Sequence, residues 1–537
     1  MKKKLQIIIT FFILCLFLFS IFSISTGKNI IMKNNQSIEN KIIKTAIGSP
    51  KGINPGRVVW IWNPNLTINY FSGFWWEQGN INQTVVNDMF SKGIRNLTDS
   101  NSDEESWDLL FRHFNKEYGK GDIGYQTGER ISIKANLANN KWGTYEHYDN
   151  DIDTNPYLFI TLLRQLTEKA GVPEENITVF DVSKPMHHWF YDIVSEAFPN
   201  VYYADLYGEA EGRNKVIKSD TSVYFAWGNC KNRTLPECVV DADYLINIPL
   251  LKRHPTGNGI TLSGKNLFGC LADDVHPLHP YLIWGSIMGN PSPQVDLLGH
   301  KDLGKKTFLY IGDATFATRD TIKDISRFNM YPFDNDWTNS LFFSQDPIAL
   351  DSVMHDFLKV EGTHPSKGSH NYLHQAADPP SNLYDPENDG VYLSDSLGVH
   401  EHCDSNVDIF SKERYSGPEN NGIDYIAIGK DHAKLSVDII KPMRREFYCF
   451  GNSIMPLRNI NSTIVIGIIK VKALINGNKE PIDKVEFYLN GNLKNTDFNE
   501  PYEWLWLELN IKKYLKLEVK AYSGSINSSE EIFLWKF

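Results

Sequence analysis

Cysteine is scarce, with six in 537 residues, and no two stand as Cys-x-x-Cys. That spacing is what an iron–sulfur cluster or a zinc ribbon uses, so neither signature is encoded. Basic charge is not concentrated either: the formal net charge is −11, with Lys and Arg spread along the chain. A nucleic-acid partner is therefore not expected, because phosphate neutralisation needs clustered cations. A nucleophile elbow, a Walker loop, a G-x-G-x-x-G nucleotide fingerprint and an H-E-x-x-H metal helix are all missing. No long repeat is present, and long apolar runs are limited to the amino terminus.

That run, from Leu5 to Ile24, follows Lys2, Lys3 and Lys4. It is long enough to reach across a bilayer, and the flanking charge stays cytoplasmic. Residues 1–27 thus read as a signal peptide or signal anchor that exports the remainder. The protein is expected to be extracytoplasmic, held to the membrane by the N-terminal helix or secreted. The absence of an A-x-A-like site favours the anchor. Residues 28–56 are polar, end in Gly and Pro, and read as a flexible tether. In an oxidising compartment Cys230 and Cys238, which flank a turn-like stretch, either close a small disulfide loop or remain two thiols.

What is present is hydrophobic residue in quantity, 42% of the chain, enough for one large domain and a smaller one. From residue 57 to 430 strand and helix patterns alternate. Val58 to Trp62, Ile177 to Asp181, Tyr244 to Ile248 and Phe308 to Asp313 are mainly apolar, as in strands covered on both faces, and Ile131 to Leu137 is a strand carrying Lys134 and Asn136. Pro156 marks a helix start near Thr154. This predicts a layered α/β domain with a mostly parallel or mixed sheet. Residues 440–537 change texture to short alternating segments broken by turns such as Asn490-Gly491, which predicts a small all-β sandwich.

Chemistry concentrates between Asn247 and Gly269. A buried-type strand there runs into Lys252, Arg253 and His254, then Gly257 and Gly259, then Lys265 and Asn266. Cations and open backbone N–H groups at a strand's carboxyl end suit an anionic ligand. Lys134 and Asn136 end another strand and are expected to join them. Lys265, enclosed by Leu262, Leu267 and Phe268, reads equally as a tuned catalytic amine or half of an ion pair. Asp313 ends a strand, and with Asp346 and Asp351 it offers carboxylates for a divalent metal or for those lysines. Asp346 before Pro347 also reads as a helix cap. His254, Lys265 and Asp313 are the catalytic candidates; Asp313, Asp351, His276 and His279 are the metal candidates. Further imidazoles stand at His187-His188, at His364, His370 and His374, and at His400-x-His402-Cys403, with no spacing taken to fix ligands on one helix face.

Four of these segments, Asn247 to His254, Gly259 to Gly269, Gly312-Asp313-Ala314 and Ser344 to Asp351, resemble the domain of unknown function 362 family in order and content. The resemblance extends back to Ile131. Residues 482–491 with Glu500-Pro-Tyr-Glu-Trp resemble bacterial Ig-like modules. Many relatives of the first family carry an added ferredoxin-like cluster domain, which implies redox or metal-linked chemistry through an external partner, although this chain has no cluster motif. It also has Arg253 where relatives tend to have a small polar residue. The functional expectation is an enzyme or ligand-binding domain for an anionic small molecule or glycan-linked anionic group. The alternatives are a cell-surface adhesion protein and a redox- or metal-linked protein.

Overall fold

The computed structural model describes residues 46–254, 259–363, 368–457, 462–476, 481–508, 513–524 and 526–537. The N-terminal segment 1–27 and most of the tether lie outside them. Among the described residues no helix is long and apolar enough to cross a membrane.

Nine strands form the central sheet. In chain order they are β1 (Arg57–Trp62), β2 (Ile131–Lys134), β3 (Ile177–Asp181), β4 (Tyr202–Asp205), β5 (Arg213–Lys215), β6 (Tyr244–Asn247), β7 (Thr307–Ala314), β8 (Ser340–Ser344) and β9 (Asp424–Ile428). Their spatial order is β9-β1-β8-β7-β6-β2-β3-β4-β5. Only β8 runs against its neighbours; every other pair is parallel. The sheet is mixed and mostly parallel, as the mainly apolar strands predict.

Two cores explain those sequences. Successive side chains of a strand point to opposite faces, so Val58, Trp60 and Trp62 enter one core while Val59 and Ile61 enter the other. Helices α1 (Gln83–Thr98), α2 (Asp103–Glu117), α3 (Pro156–Arg164) and α4 (His188–Ala197) contribute to the second core. Helices α5 (Pro347–Val360) and α6 (Gly368–Ala377) contribute to the first. The helix starts are those the sequence marks. Asn155 accepts from Tyr157 N ahead of Pro156 in α3, and Asp346 accepts from Ile348 N and Ala349 N ahead of Pro347 in α5.

The C-terminal region packs a three-stranded sheet (Ser436–Lys441, Ile469–Asn476, Glu503–Trp506) and a seven-stranded sheet around Trp506, Phe487 and Leu517. This β-rich arrangement is compatible with an Ig-like module. Asn490 and Gly491 both take positive φ, 48° and 79°, in the two-residue turn between paired Leu489 and Asn492, the hairpin geometry that Asn-Gly favours. Cys230 and Cys238 are both free thiols, so the disulfide option is not taken. Cys238 sits in the short helix Glu237–Val240, and burial pushes its thiol up to about 12.

Candidate functional site: a lysine-lined cavity at the sheet's switch point

From β2 the chain winds one way through β3, β4 and β5, then returns to the other side of β2 as β6 and β7. Neighbouring connections therefore diverge at the carboxyl end of β2, which opens a crevice there. The last residues of three strands meet at that point: Lys134 of β2 is in register with Asn247 of β6 and sits beside Asp181 of β3. Lys134 Nζ lies 3.0 Å from Asp181 Oδ2, and both side chains are buried. Asn266 Nδ2 donates to Asn247 Oδ1 at 2.7 Å and to the Ile248 carbonyl at 3.1 Å, and its Oδ1 lies 3.4 Å from Lys134 Nζ. Gly269 closes the floor: a Cβ there would stand 2.5 Å from Lys134 Nζ and 2.9 Å from Asp181 Oδ1, so a side chain would displace this ion pair.

Above this floor lies a cavity of about 470 Å³ whose wall includes Lys134, Lys184, Lys252 and Lys265, together with His254. It is of the size that holds a small molecule. Lys252 sits on a two-residue ribbon paired with Ile260–Thr261. Burial pushes its amine down to about 8 against the attraction of Asp153. Lys265 is carried by the short helix Ser263–Asn266 and stacks its ammonium 4.0 Å over the Phe268 ring. Burial first, then repulsion from Lys252 and Lys134, pushes it down to about 7. Among the described residues it meets no carboxylate at ion-pair distance, which decides between its two readings in favour of an unpaired amine. Lys184 lies 4.7 Å over the Trp142 ring and is also lowered by burial. Two further wall atoms, Asn136 Oδ1 and Thr261 Oγ1, are buried without a hydrogen-bond partner. The carboxylates at the rim are engaged, Asp273 with Lys218 and Asp274 with His276. The wall thus presents cations and orphaned polar atoms to whatever enters.

The structure brings Lys134, Asn136, Lys252, His254, Lys265, Asn266, His276 and His279 to this one cavity. It places the others elsewhere. Arg253 alternates to the opposite side of its ribbon, where its backbone N donates to Thr318 Oγ1 at 2.9 Å and its guanidinium reaches the Asp320 carbonyl. Gly259, at φ 79°, accepts from His254 N at 2.9 Å through its carbonyl and serves the ribbon's turn. Gly257 lies outside the described residues. Asp313 is buried off the cavity wall, and its carboxylate accepts from Asn155 N at 2.8 Å and Thr315 N at 3.0 Å, bracing the start of α3. Asp351 accepts from Ser263 N at 2.8 Å, Gly264 N at 3.2 Å and the Tyr372 hydroxyl at 2.5 Å. Both aspartates, expected as base or metal ligands, spend their oxygens on backbone and hydroxyl donors. His276 bonds to Asp274 at 2.7 Å and His279 to the His276 carbonyl at 3.2 Å. Neither joins a set of three converging ligand atoms among the described residues.

Sequence reasoning missed Lys184 and Trp142. Lys184 lies three residues past Asp181, the last of β3, much as Lys252 lies five past Asn247, the last of β6. A larger cleft of about 1210 Å³ lies between residues 406–411 and the β-rich region; two of its three lysines are committed, Lys430 to Asp408 and Lys472 to Glu503, and the third, Lys441, lies 6.0 Å from the Tyr448 ring.

Residues 131–356 match the family model described as "Domain of unknown function (DUF362)". No curated protein matches the chain. Among solved structures, fibronectin(III)-like modules of Clostridium thermocellum CbhA share 18% identity over 21% of this chain and 52% of theirs, with a TM-score of 0.14. The chain therefore spans about half the length of that structure. A Cellulomonas fimi endo-β-1,4-mannanase double mutant shares 9% identity over 81% of this chain and 82% of its own, with a TM-score of 0.15. The endo-β-1,4-mannanase from Thermotoga petrophila shares 9% identity over 80% of this chain and 70% of its own, with a TM-score of 0.16. TM-scores of this size do not establish a shared fold.

Proposed function

We propose that the chain, which carries a DUF362 domain at residues 131–356, binds a small anionic molecule in the lysine-lined cavity and uses Lys265 as its reactive amine. The observation that carries this reading is the convergence of four lysines on one cavity in which, among the described residues, only Lys134 has a carboxylate at ion-pair distance. A carboxylate or phosphate group supplies the missing countercharge, and Asn136 and Thr261 supply fixed polar contacts. An amine poised near pH 7 in this setting serves as a general base at neutral pH, because it is unprotonated often enough to accept a proton and basic enough to hold it. The N-terminal lysines and apolar run support an extracytoplasmic location, anchored or secreted.

Calorimetric titration of the full chain with inorganic phosphate and with citrate tests the reading. At least one is expected to bind at neutral pH, with affinity falling about tenfold or more in K252M and in K265M, since each hydrogen bond to a charged group contributes about 1.5–3 kcal/mol. Equal affinity in wild type and both variants would remove the cavity from the function and favour a surface-adhesion role.

A further inference from the structure

Away from the lysines, α5, α6 and the extended segment after Val399 bring five imidazoles together: His355, His370, His374, His400 and His402. We propose that His370, His400 and His402 bind a first-row divalent transition ion of the zinc class, with Asp356 and Ser352 orienting two of the ligands. One nitrogen from each of the three histidines lies within 4.8 Å of the others. A tetrahedral ion held at about 2.0–2.1 Å needs its nitrogens about 3.3 Å apart, which small ring rotations supply.

Hydrogen bonding fixes where the lone pairs are. Ser352 Oγ gives its single proton to the Ile348 carbonyl at 2.6 Å, so at its 2.8 Å contact with His400 Nδ1 it accepts. His400 Nδ1 then carries the proton, and Nε2 keeps a lone pair. That Nε2 is buried and has no hydrogen-bond partner. A buried polar atom without a partner carries a desolvation penalty that a metal ion would relieve. His402 repeats the pattern: Nδ1 faces the buried Asp356 Oδ1 at 3.1 Å, an acceptor, which leaves Nε2 with a lone pair directed at His370 Nδ1, 3.0 Å away. A carboxylate behind a histidine is the outer-shell arrangement of histidine-bound metals, since it sets the tautomer and raises ligand basicity. Asp356 is itself fixed by Cys403 N at 2.7 Å and the Tyr415 hydroxyl at 3.2 Å.

The ligand chemistry selects the metal. Three neutral imidazoles without thiolate suit zinc, cobalt, nickel or copper over calcium or magnesium, which take oxygen ligands. Access is from one side: the His402 side chain is 34% exposed while His400 is buried. Three histidines with an open face match the ligand count of zinc sites that keep a position for water or substrate. The cluster is separate from the lysine cavity, whose wall contains none of these histidines.

The test uses the purified full chain stripped with a chelator and titrated with Zn2+ and with Co2+, read by elemental analysis and by the visible absorption of bound Co2+. One equivalent is expected, with the intense bands of a low-coordinate cobalt site. H402A and H400A are expected to abolish stoichiometric binding, and D356N to weaken it about 10- to 100-fold, the usual effect of losing an outer-shell partner. H276A/H279A is expected to leave it unchanged. Thermal melts and circular dichroism of each variant separate loss of ligand from loss of fold, and half-buried His370, as H370A, serves where the buried positions do not tolerate change. No stoichiometric metal in the wild type, or binding that survives in the folded H400A and H402A variants, would overturn the proposal.

Discussion

Lys265 and Asp351 make an instructive pair, because both are ionisable and both belong to or hold the short helix Ser263–Asn266, Asp351 from the core and Lys265 from the cavity wall. Asp351 accepts from two backbone N–H groups and a tyrosine hydroxyl, so its charge is spent on holding the helix in place. Lys265 has an aromatic face and two neighbouring lysines for company, so its charge is left uncompensated. A buried ionisable group with filled hydrogen-bonding capacity is a structural brace, and one with unfilled capacity is available for chemistry. The same division separates Asp313, whose oxygens take Asn155 N and Thr315 N, from Asn136, whose Oδ1 takes nothing.

Substitutions test that division from both sides. The largest effect is expected from D351A, which orphans two N–H donors and the Tyr372 hydroxyl in the core; at about 1–3 kcal/mol per unsatisfied group, a loss of about 3 kcal/mol or more is predicted. Denaturant unfolding measures it, and a variant as stable as wild type would place Asp351 on the chemical side of the comparison. K265M is expected to act in the opposite direction, raising stability by about 1 kcal/mol or more near pH 7, because replacing an unpaired, half-buried amine with an apolar chain of similar length removes a desolvation penalty. The amine sits below its ordinary value in the fold, so between about 7 and that ordinary value the unfolded chain binds a proton the folded one does not. Stability of the wild type therefore rises with pH across that window, and the advantage of K265M is full below about 7 and vanishes above the ordinary lysine range. Melting curves at stepped pH read this directly; a constant difference between the two proteins would mean that Lys265 is paired. The smallest effect belongs to R253A, whose exposed guanidinium faces the Asp320 carbonyl outside the cavity; stability within about 0.5 kcal/mol and unchanged phosphate and citrate affinity are expected.

Much of the α/β architecture was legible. Strands such as Val58 to Trp62 and Phe308 to Ile311 are apolar at every position because helices cover both faces, and Asn155-Pro156 and Asp346-Pro347 are local capping chemistry that needs no tertiary information. Lys134 and Lys252 could be nominated because each lies at or just past the end of a buried strand, and Lys265 because Leu262, Leu267 and Phe268 enclose it. Arg253 could not be separated from Lys252, since adjacent residues on a ribbon differ only in which face they present. The aspartates misled for a related reason: a carboxylate at a strand end looks the same in sequence whether it faces a cleft or a helix start. The histidines carried one overlooked signal, the i, i+4 spacing of His370 and His374, which places both on one face of α6. His400 and His402 stood out only as a pair two residues apart, and His355 and Asp356 had no signal, because these elements join that face only through the packing of α5 and of the segment beyond Val399.

What the sequence determined by itself is everything set over a few residues: the strand and helix periods, the caps, the Asn490-Gly491 turn and the sign of the charges near β2 and β6. Tertiary structure alone decided which of those charges would be answered. Partnership between Lys134 and Asp181, or between Asp351 and the amides of Ser263 and Gly264, is a matter of distances across separate elements. Burial makes those distances count, since a low local dielectric rewards each satisfied group and penalises each that is left without a partner.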